Sequence, residues 1–303
     1  GHKGVRLPME GSSLEGVILN VDFLKNCGMG KATGMGKKVI VLGGGNVAFD
    51  CARSAKRLGA EEIHVACLEA REHMTADEEE IQQAVEEGIM IHPAQTFERI
   101  TGTGHVTGVD FMNVKSFTFD ENHRAVIHRE ENSEHHIEAD TVIFAVGQRP
   151  DITEEAGLAL GRGNSIAVRD IETDKATSVD GIFAAGDAIY GTKSVIMAIE
   201  SGREAAAQID QYLGGNGDIS EKLAPEQKPD AYIGICEGFG YMQRKNRCID
   251  SPESRCNNFE LFDHGICDSD ICAEAGRCLQ CDLRLQISKP RVWGDYAEGK
   301  EEK

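Results

Sequence analysis

Apolar and polar positions alternate along this chain with two different periods, and the switches between them mark its elements. Val39–Leu42 is a continuous apolar run of strand length that passes straight into three glycines, Gly43–Gly45. A helical stripe follows: Val47, Ala48, Cys51, Ala52, Ala55 and Leu58 recur at helical spacing, with Arg53, Lys56 and Arg57 on the other face and Gly59 as the stop. The same pattern predicts a strand over 63–68, a helix over 77–87 and a strand over 89–92. Thr75 and Glu78 have the spacing of a capping box for that second helix, whose apolar positions are Ile81, Ala84 and Val85. The period then changes. Val106, Val109, Phe111 and Val114, set among turn-forming residues, predict a small antiparallel meander within 94–139. Thr141–Val146 reads as a buried strand, 165–168 as a short strand, and 194–213 as a long helix with Val195, Ile199, Ala206, Ile209 and Leu213 on its stripe. Residues 1–36 contain no complete unit, and 215–231 read as a polar linker to a Cys-rich tail.

Composition narrows the function classes. The 303 residues suffice for two domains. A net charge of −19 repels phosphate backbones and anionic lipid, so neither nucleic acid nor membrane is an expected partner. No apolar run approaches a membrane span and the first residues do not resemble a signal peptide, so a cytoplasmic location is expected. Of ten cysteines, Cys27, Cys51 and Cys67 are scattered and the rest crowd the chain from Cys236 onward. Such a local cluster in a large chain points to metal or reactive thiols rather than a disulfide framework.

The glycine run carries the most specific chemistry. Gly43, Gly45 and Ala48 fit G-x-G-x-x-G/A, the dinucleotide fingerprint. The first glycine makes the tight turn, and the second lets backbone approach a diphosphate. Ala48 allows close helix–strand packing, while the helix entered through Asn46 and Val47 offers unpaired N–H groups to phosphate oxygens. Glu69 ends the second strand, where a carboxylate accepts hydrogen bonds from a ribose 2′-hydroxyl and repels a 2′-phosphate. NAD is therefore expected over NADP, with Arg71 near enough to admit NADP. No Ser-His-Asp or paired-carboxylate arrangement has persuasive spacing.

G-G-G-N-V-A-F-D at 43–50, H-M-T-A-D-E-E-E-I at 73–81, F-A-V-G-Q-R-P-D at 144–151 and T-S-V-D-G-I-F-A-A-G-D at 177–187 occur in fixed order. Together they resemble the pyridine nucleotide–disulfide oxidoreductase superfamily, and within it the small subunit of glutamate synthase and its relatives, over residues 4–213. The resemblance implies an α/β fold: a Rossmann-like NAD(P)-binding domain at 37–147 inserted in a partial FAD-binding domain (1–36 and 148–214), with 215–303 as linker and Cys-rich tail. It also implies that Gly147 joins the cofactor-binding set and that Gly186 and Asp187 meet FAD. The helix entered through Lys193 and Ser194 would aim its N-terminus at the flavin. The implied activity is that of an NAD(P)H-dependent flavoprotein subunit passing electrons to an iron–sulfur or amidotransferase-type redox subunit. The alternative is a non-catalytic nicotinamide-binding or docking module.

Two departures from the family pattern stand out. A second glycine fingerprint, which holds the ADP half of FAD, does not precede the first, so the chain is expected to be a fragment or to need another polypeptide to complete that site. Where NADP-specific relatives carry paired arginines, this chain has Leu68 and Glu69. In the tail, E-A-G-R-C-L-Q-C resembles iron–sulfur-binding segments of relatives, and Cys267, Cys272, Cys278 and Cys281 supply the four thiolates a [4Fe–4S] cluster needs. Their C-x4-C-x5-C-x2-C spacing leaves a zinc site or plain thiols open as well.

Overall fold

The computed structural model describes residues 2–119, 125–152, 157–220, 237–279 and 281. They belong to two compact units, one of Gly1–Ile219 with Pro252–Phe259 and one of Ser220–Ser251 with Glu260–Lys303. The first unit opens with strands β1 (His2–Gly4) and β2 (Val17–Leu19) and helix α1 (Asn20–Gly28). It continues through β3 (Lys38–Leu42), α2 (Asn46–Arg57), β4 (Glu62–Ala66), α3 (Glu78–Glu86) and β5 (Met90–His92). Antiparallel strands β6 (Gln95–Thr103), β7 (His105–Phe119), β8 (Ala125–Arg129) and β9 (His135–Glu138) follow, and β10 (Thr141–Phe144) returns to the first sheet.

That first sheet is parallel throughout, in the order β2-β10-β3-β4-β5. Val39, Ile40, Val41 and Leu42 are all fully buried because β3 lies in its middle with both faces covered. Odd positions of β3 pack with Phe23, Phe49, Ala52 and Ile81 of the three helices. Even positions pack with Ile100, Val109, Phe111 and Phe144 on the side of the meander. The meander is built on β7, which pairs with β6, β8 and β9. Register shifts along its pairing with β6 explain why its buried residues, Val106, Val109 and Phe111, do not alternate strictly.

Residues 1–36 supply β2, which pairs in parallel with β10, and α1, which packs on α2, neither of which the periodicity showed; three residues are too few to show a period. Four local expectations are corrected. The Thr75–Glu78 capping box is not formed. Asp77 precedes α3, and its N–H is taken at 2.7 Å by the Asn46 side chain instead. Val85 is 55% exposed. Arg53 faces inward, where with Arg57 it meets the Glu87 carboxylate at 2.9 and 2.8 Å. The short strand falls at Val168–Asp170, after a single bridge between Leu160 and Ile166.

Beyond β10, β11 (Gln148–Pro150) pairs antiparallel with β1, and β12 (Val168–Asp170) forms a hairpin with β13 (Asp174–Thr177). Helices α4 (Asp187–Tyr190), α5 (Val195–Tyr212) and α6 (Pro252–Arg255) complete the unit. α5 docks on β13, where Gln208 accepts from the Lys175 N–H at 2.7 Å, and Ser201 and Ala205 are its buried residues. The expected apolar stripe is not covered: Val195, Ile199 and Leu213 are 75, 59 and 77% exposed. α6 is pinned by Arg255, which donates to Glu87 at 3.0 Å. In the second unit α7 (Asp268–Gly276) starts after Cys267, and Cys248 exchanges backbone hydrogen bonds with His264 and Gly265. No helix among the described residues is long and apolar enough to cross a membrane.

Candidate nucleotide site

At the carboxyl end of the parallel sheet the chain leaves β3 for β4 on one side, while β10 and β2 lie on the other. This is a topological switch point, where open α/β sheets bind ligands. A cavity of about 380 Å³ opens there. Gly43 is wedged beneath it. Its N–H donates to Ala66 O at 2.8 Å, its φ is +143°, and a Cβ would lie 2.4 Å from Ala145 O. A Cβ on Gly44 would meet Cys67 Sγ at 3.0 Å and Glu69 Oε2 at 3.1 Å. Gly45 caps α2 with an ordinary φ of −94°, and its nearest atom would be Thr75 Oγ1 at 3.4 Å. Only Gly43 and Gly44 are therefore demanded by the protein itself. Gly45 keeps a clear approach to the first amides of α2, which lack intrahelical partners and carry the positive end of its dipole.

Glu69 borders the cavity and is held from behind, its carbonyl accepting from Ala94 N at 2.8 Å and from the Cys67 thiol at 3.5 Å. Burial, and then the neighbouring Glu69 charge, push the Cys67 thiol up to about 12, so it is a packing residue and not a nucleophile. Among the described residues lining the cavity, Glu69 carries the only charge. Arg71 is turned to Glu78 at 2.6 Å. Asn46 and Val47 both line the cavity, but the Asn46 side chain is engaged with Asp77, which leaves its backbone to face the space.

Gly147, at φ +107°, lines this cavity and a smaller neighbour of about 280 Å³ that reaches Tyr190 and Gly191. Gly186, at φ +63°, precedes α4 and donates to the buried Ser201 hydroxyl at 3.1 Å. Asp187 Oδ1 accepts from Lys193 N at 3.3 Å, and Ser194 caps α5 by accepting from Met197 N at 3.3 Å. The loop carrying Lys193 places Thr192 on the wall of the larger cavity, whereas Gly186, Asp187, Lys193 and Ser194 do not line it. The four tail cysteines are not brought together. Cys267, Cys272, Cys278 and Cys281 are exposed, Cys267 Sγ lies 3.1 Å from Ser269 Oγ, and no group of three or more His, Cys, Asp or Glu positioned for a metal occurs among the described residues. Sequence reasoning missed Asn20, Phe97, Gln148 and Thr192 as lining residues, because each arrives from a separate element by tertiary packing.

The arrangement matches known proteins. Residues 1–202 match the family model of the pyridine nucleotide-disulphide oxidoreductases. The chain is 32% identical over 279 residues to the beta subunit of the NADP(+)-dependent formate dehydrogenase of Moorella thermoacetica, covering 88% of this chain and 39% of that protein. It is 32% identical over 241 residues to the glutamate synthase [NADPH] small chain of Azospirillum brasilense, covering 74% of this chain and 50% of that protein. The chain thus spans about two fifths to one half of the length of these relatives. FprA of Mycobacterium tuberculosis, in complex with NADPH, shares the fold at a TM-score of 0.56 and 14% identity, over 70% of this chain and 62% of that one. The chain belongs to the pyridine nucleotide-disulphide oxidoreductase family.

Proposed function

We propose that this chain is the nicotinamide-binding module of an NADH-dependent flavoprotein that delivers electrons to a partner redox subunit, with the diphosphate at Gly43–Val47 and the adenosine ribose at Glu69. The observation that carries this reading is the cavity at the switch point, with Glu69 the only charge on its wall among the described residues. Bare amides at the start of α2 suit a diphosphate, and Glu69 suits the two hydroxyls of an unphosphorylated ribose. The two curated relatives above are named for NADP(H). Here the guanidinium that could meet a 2′-phosphate, Arg71, is paired with Glu78, and Glu69 would face the phosphate directly.

The residues present fit the flavin half of FAD. Gly186 takes a backbone conformation that favours glycine, Ser194 caps α5, and exposed Val195, Ile196 and Ile199 offer apolar surface beside that helix start. FAD, when bound, supplies the acceptor for the nicotinamide hydride. Asp187 and Lys193 shape the loop beside it, and the N-terminus of α5 favours negative charge there. That both relatives are a beta subunit and a small chain supports a redox partner, which we take to be an iron–sulfur or amidotransferase-type subunit.

Titration of NADH and NADPH against the whole chain tests the reading. NADH is expected to bind more tightly, and Glu69→Arg to reverse the order. Tighter NADPH binding by the unaltered chain would overturn the assignment of Glu69.

A further inference from the structure

Asn20 lies at the head of α1, immediately after β2, and borders the nucleotide cavity. It is 1% exposed, and neither its Nδ2 nor its Oδ1 has a hydrogen-bond partner. Among the described residues it is the only buried side chain with two such atoms. Other buried polar side chains are satisfied: Thr141 Oγ1 accepts from Gly36 N at 2.9 Å and Ser201 Oγ from Gly186 N at 3.1 Å. Room for Asn20 has also been kept. A Cβ on Gly4, in the strand that pairs with Gln148, would fall 2.4 Å from Asn20 Oδ1. A buried amide with unmet donor and acceptor capacity is costly, and such groups call for an account of what satisfies them.

Sheet order supplies that account. Glu69 follows β4, on one side of β3, and Asn20 follows β2, on the other side beyond β10. A dinucleotide with its diphosphate at the start of α2 and its adenosine ribose at Glu69 sends its other base toward β10 and β2. There the cavity wall is Ala145, Val146, Gly147 and Asn20. We propose that Asn20 recognises the carboxamide of the nicotinamide ring, pairing its own amide donor and acceptor with the complementary acceptor and donor of the ligand. The inference rests on the nucleotide reading above and adds to it a residue that fixes which face and edge of the ring is presented.

The test compares NADH, ADP-ribose (which lacks the nicotinamide) and reduced 3-acetylpyridine adenine dinucleotide (which lacks the amide donor) on the full chain. For Asn20→Ala and the near-isosteric Asn20→Asp, NADH affinity is expected to fall about tenfold while ADP-ribose affinity is unchanged. The preference of the unaltered chain for NADH over the acetylpyridine analogue is expected to vanish in Asn20→Ala and to persist in Asn20→Asp, whose carboxylate still accepts from the amide N–H of the ligand. Equal weakening of NADH and ADP-ribose, or a preference that survives in folded Asn20→Ala, would overturn the role of Asn20. If the unaltered chain bound NADH and the acetylpyridine analogue equally, the role would be overturned without any variant. Failure of the unaltered chain to bind ADP-ribose would instead remove the nucleotide reading, and this one with it.

Discussion

Neighbouring glycines in one loop carry different duties, and substitution should separate them. At Gly43 a side chain is opposed by both a φ of +143° and the Ala145 carbonyl, so Gly43→Ala should lower the melting temperature and abolish NADH binding together. At Gly45 the backbone is ordinary and the nearest protein atom lies 3.4 Å from the added Cβ. Gly45→Ala should therefore melt within a few degrees of the unaltered chain yet lose at least about tenfold in NADH affinity, because the methyl occupies the approach to the amides. Thermal melts and isothermal titration on the two variants check this. Gly43, Gly45 and Glu69 were legible because turn, helix start and strand end are contiguous in sequence. Asn20 was not, since its burial, its position on the cavity wall and its lack of partners are consequences of packing alone.

Between elements, the Glu87 carboxylate is the joint of α2, α3 and α6. Its side chain is fully buried and receives Arg53, Arg57 and Arg255. Burial pushes its carboxyl up, but hydrogen bonds from Arg57 and Arg53 and their charges together outweigh that, holding it at about 2 against an ordinary 4.5. Its contribution to stability is therefore complete above pH 4.5 and is lost as pH falls toward 2. Glu87→Gln should flatten the acid limb of a melting-temperature profile. At neutral pH it should cost about 3 kcal/mol, because the three buried arginines lose the one carboxylate they share. The helical period placed Arg53 outward because it counts residue types on one helix and takes no account of a carboxylate arriving from another. α5 shows the converse. Its apolar stripe was legible in Val195, Ile199 and Leu213, but nothing in the described chain covers them.

For the molecule as a whole, the run from β3 to β5, the meander, β10 and α5 were readable from periodicity and the two glycine motifs from their spacing, whereas α1, β11, the β12–β13 hairpin, α6 and α7 were not. The contribution of β2 to the sheet was not, since strands of three residues carry no pattern. Long-range ties were equally hidden, and Arg255 is the clearest. It anchors residues 252–259 to the first unit through Glu87 and Glu86. Arg255→Ala should accelerate limited proteolysis around 252–259, seen as an earlier fragment by mass spectrometry, while NADH affinity stays as it was.

The wall of the switch-point cavity, where we propose the diphosphate lies, holds no lysine or arginine among the described residues, and the chain as a whole carries nineteen negative charges in excess. Most anion sites lose grip when ions are added, because the attraction they screen is the attraction that binds. On the proposed reading the long-range field would oppose the arriving dinucleotide, and short-range amide hydrogen bonds would do the holding. Moderate sodium chloride should consequently quicken NADH association and leave its dissociation nearly constant, which stopped-flow fluorescence at rising ionic strength will read directly.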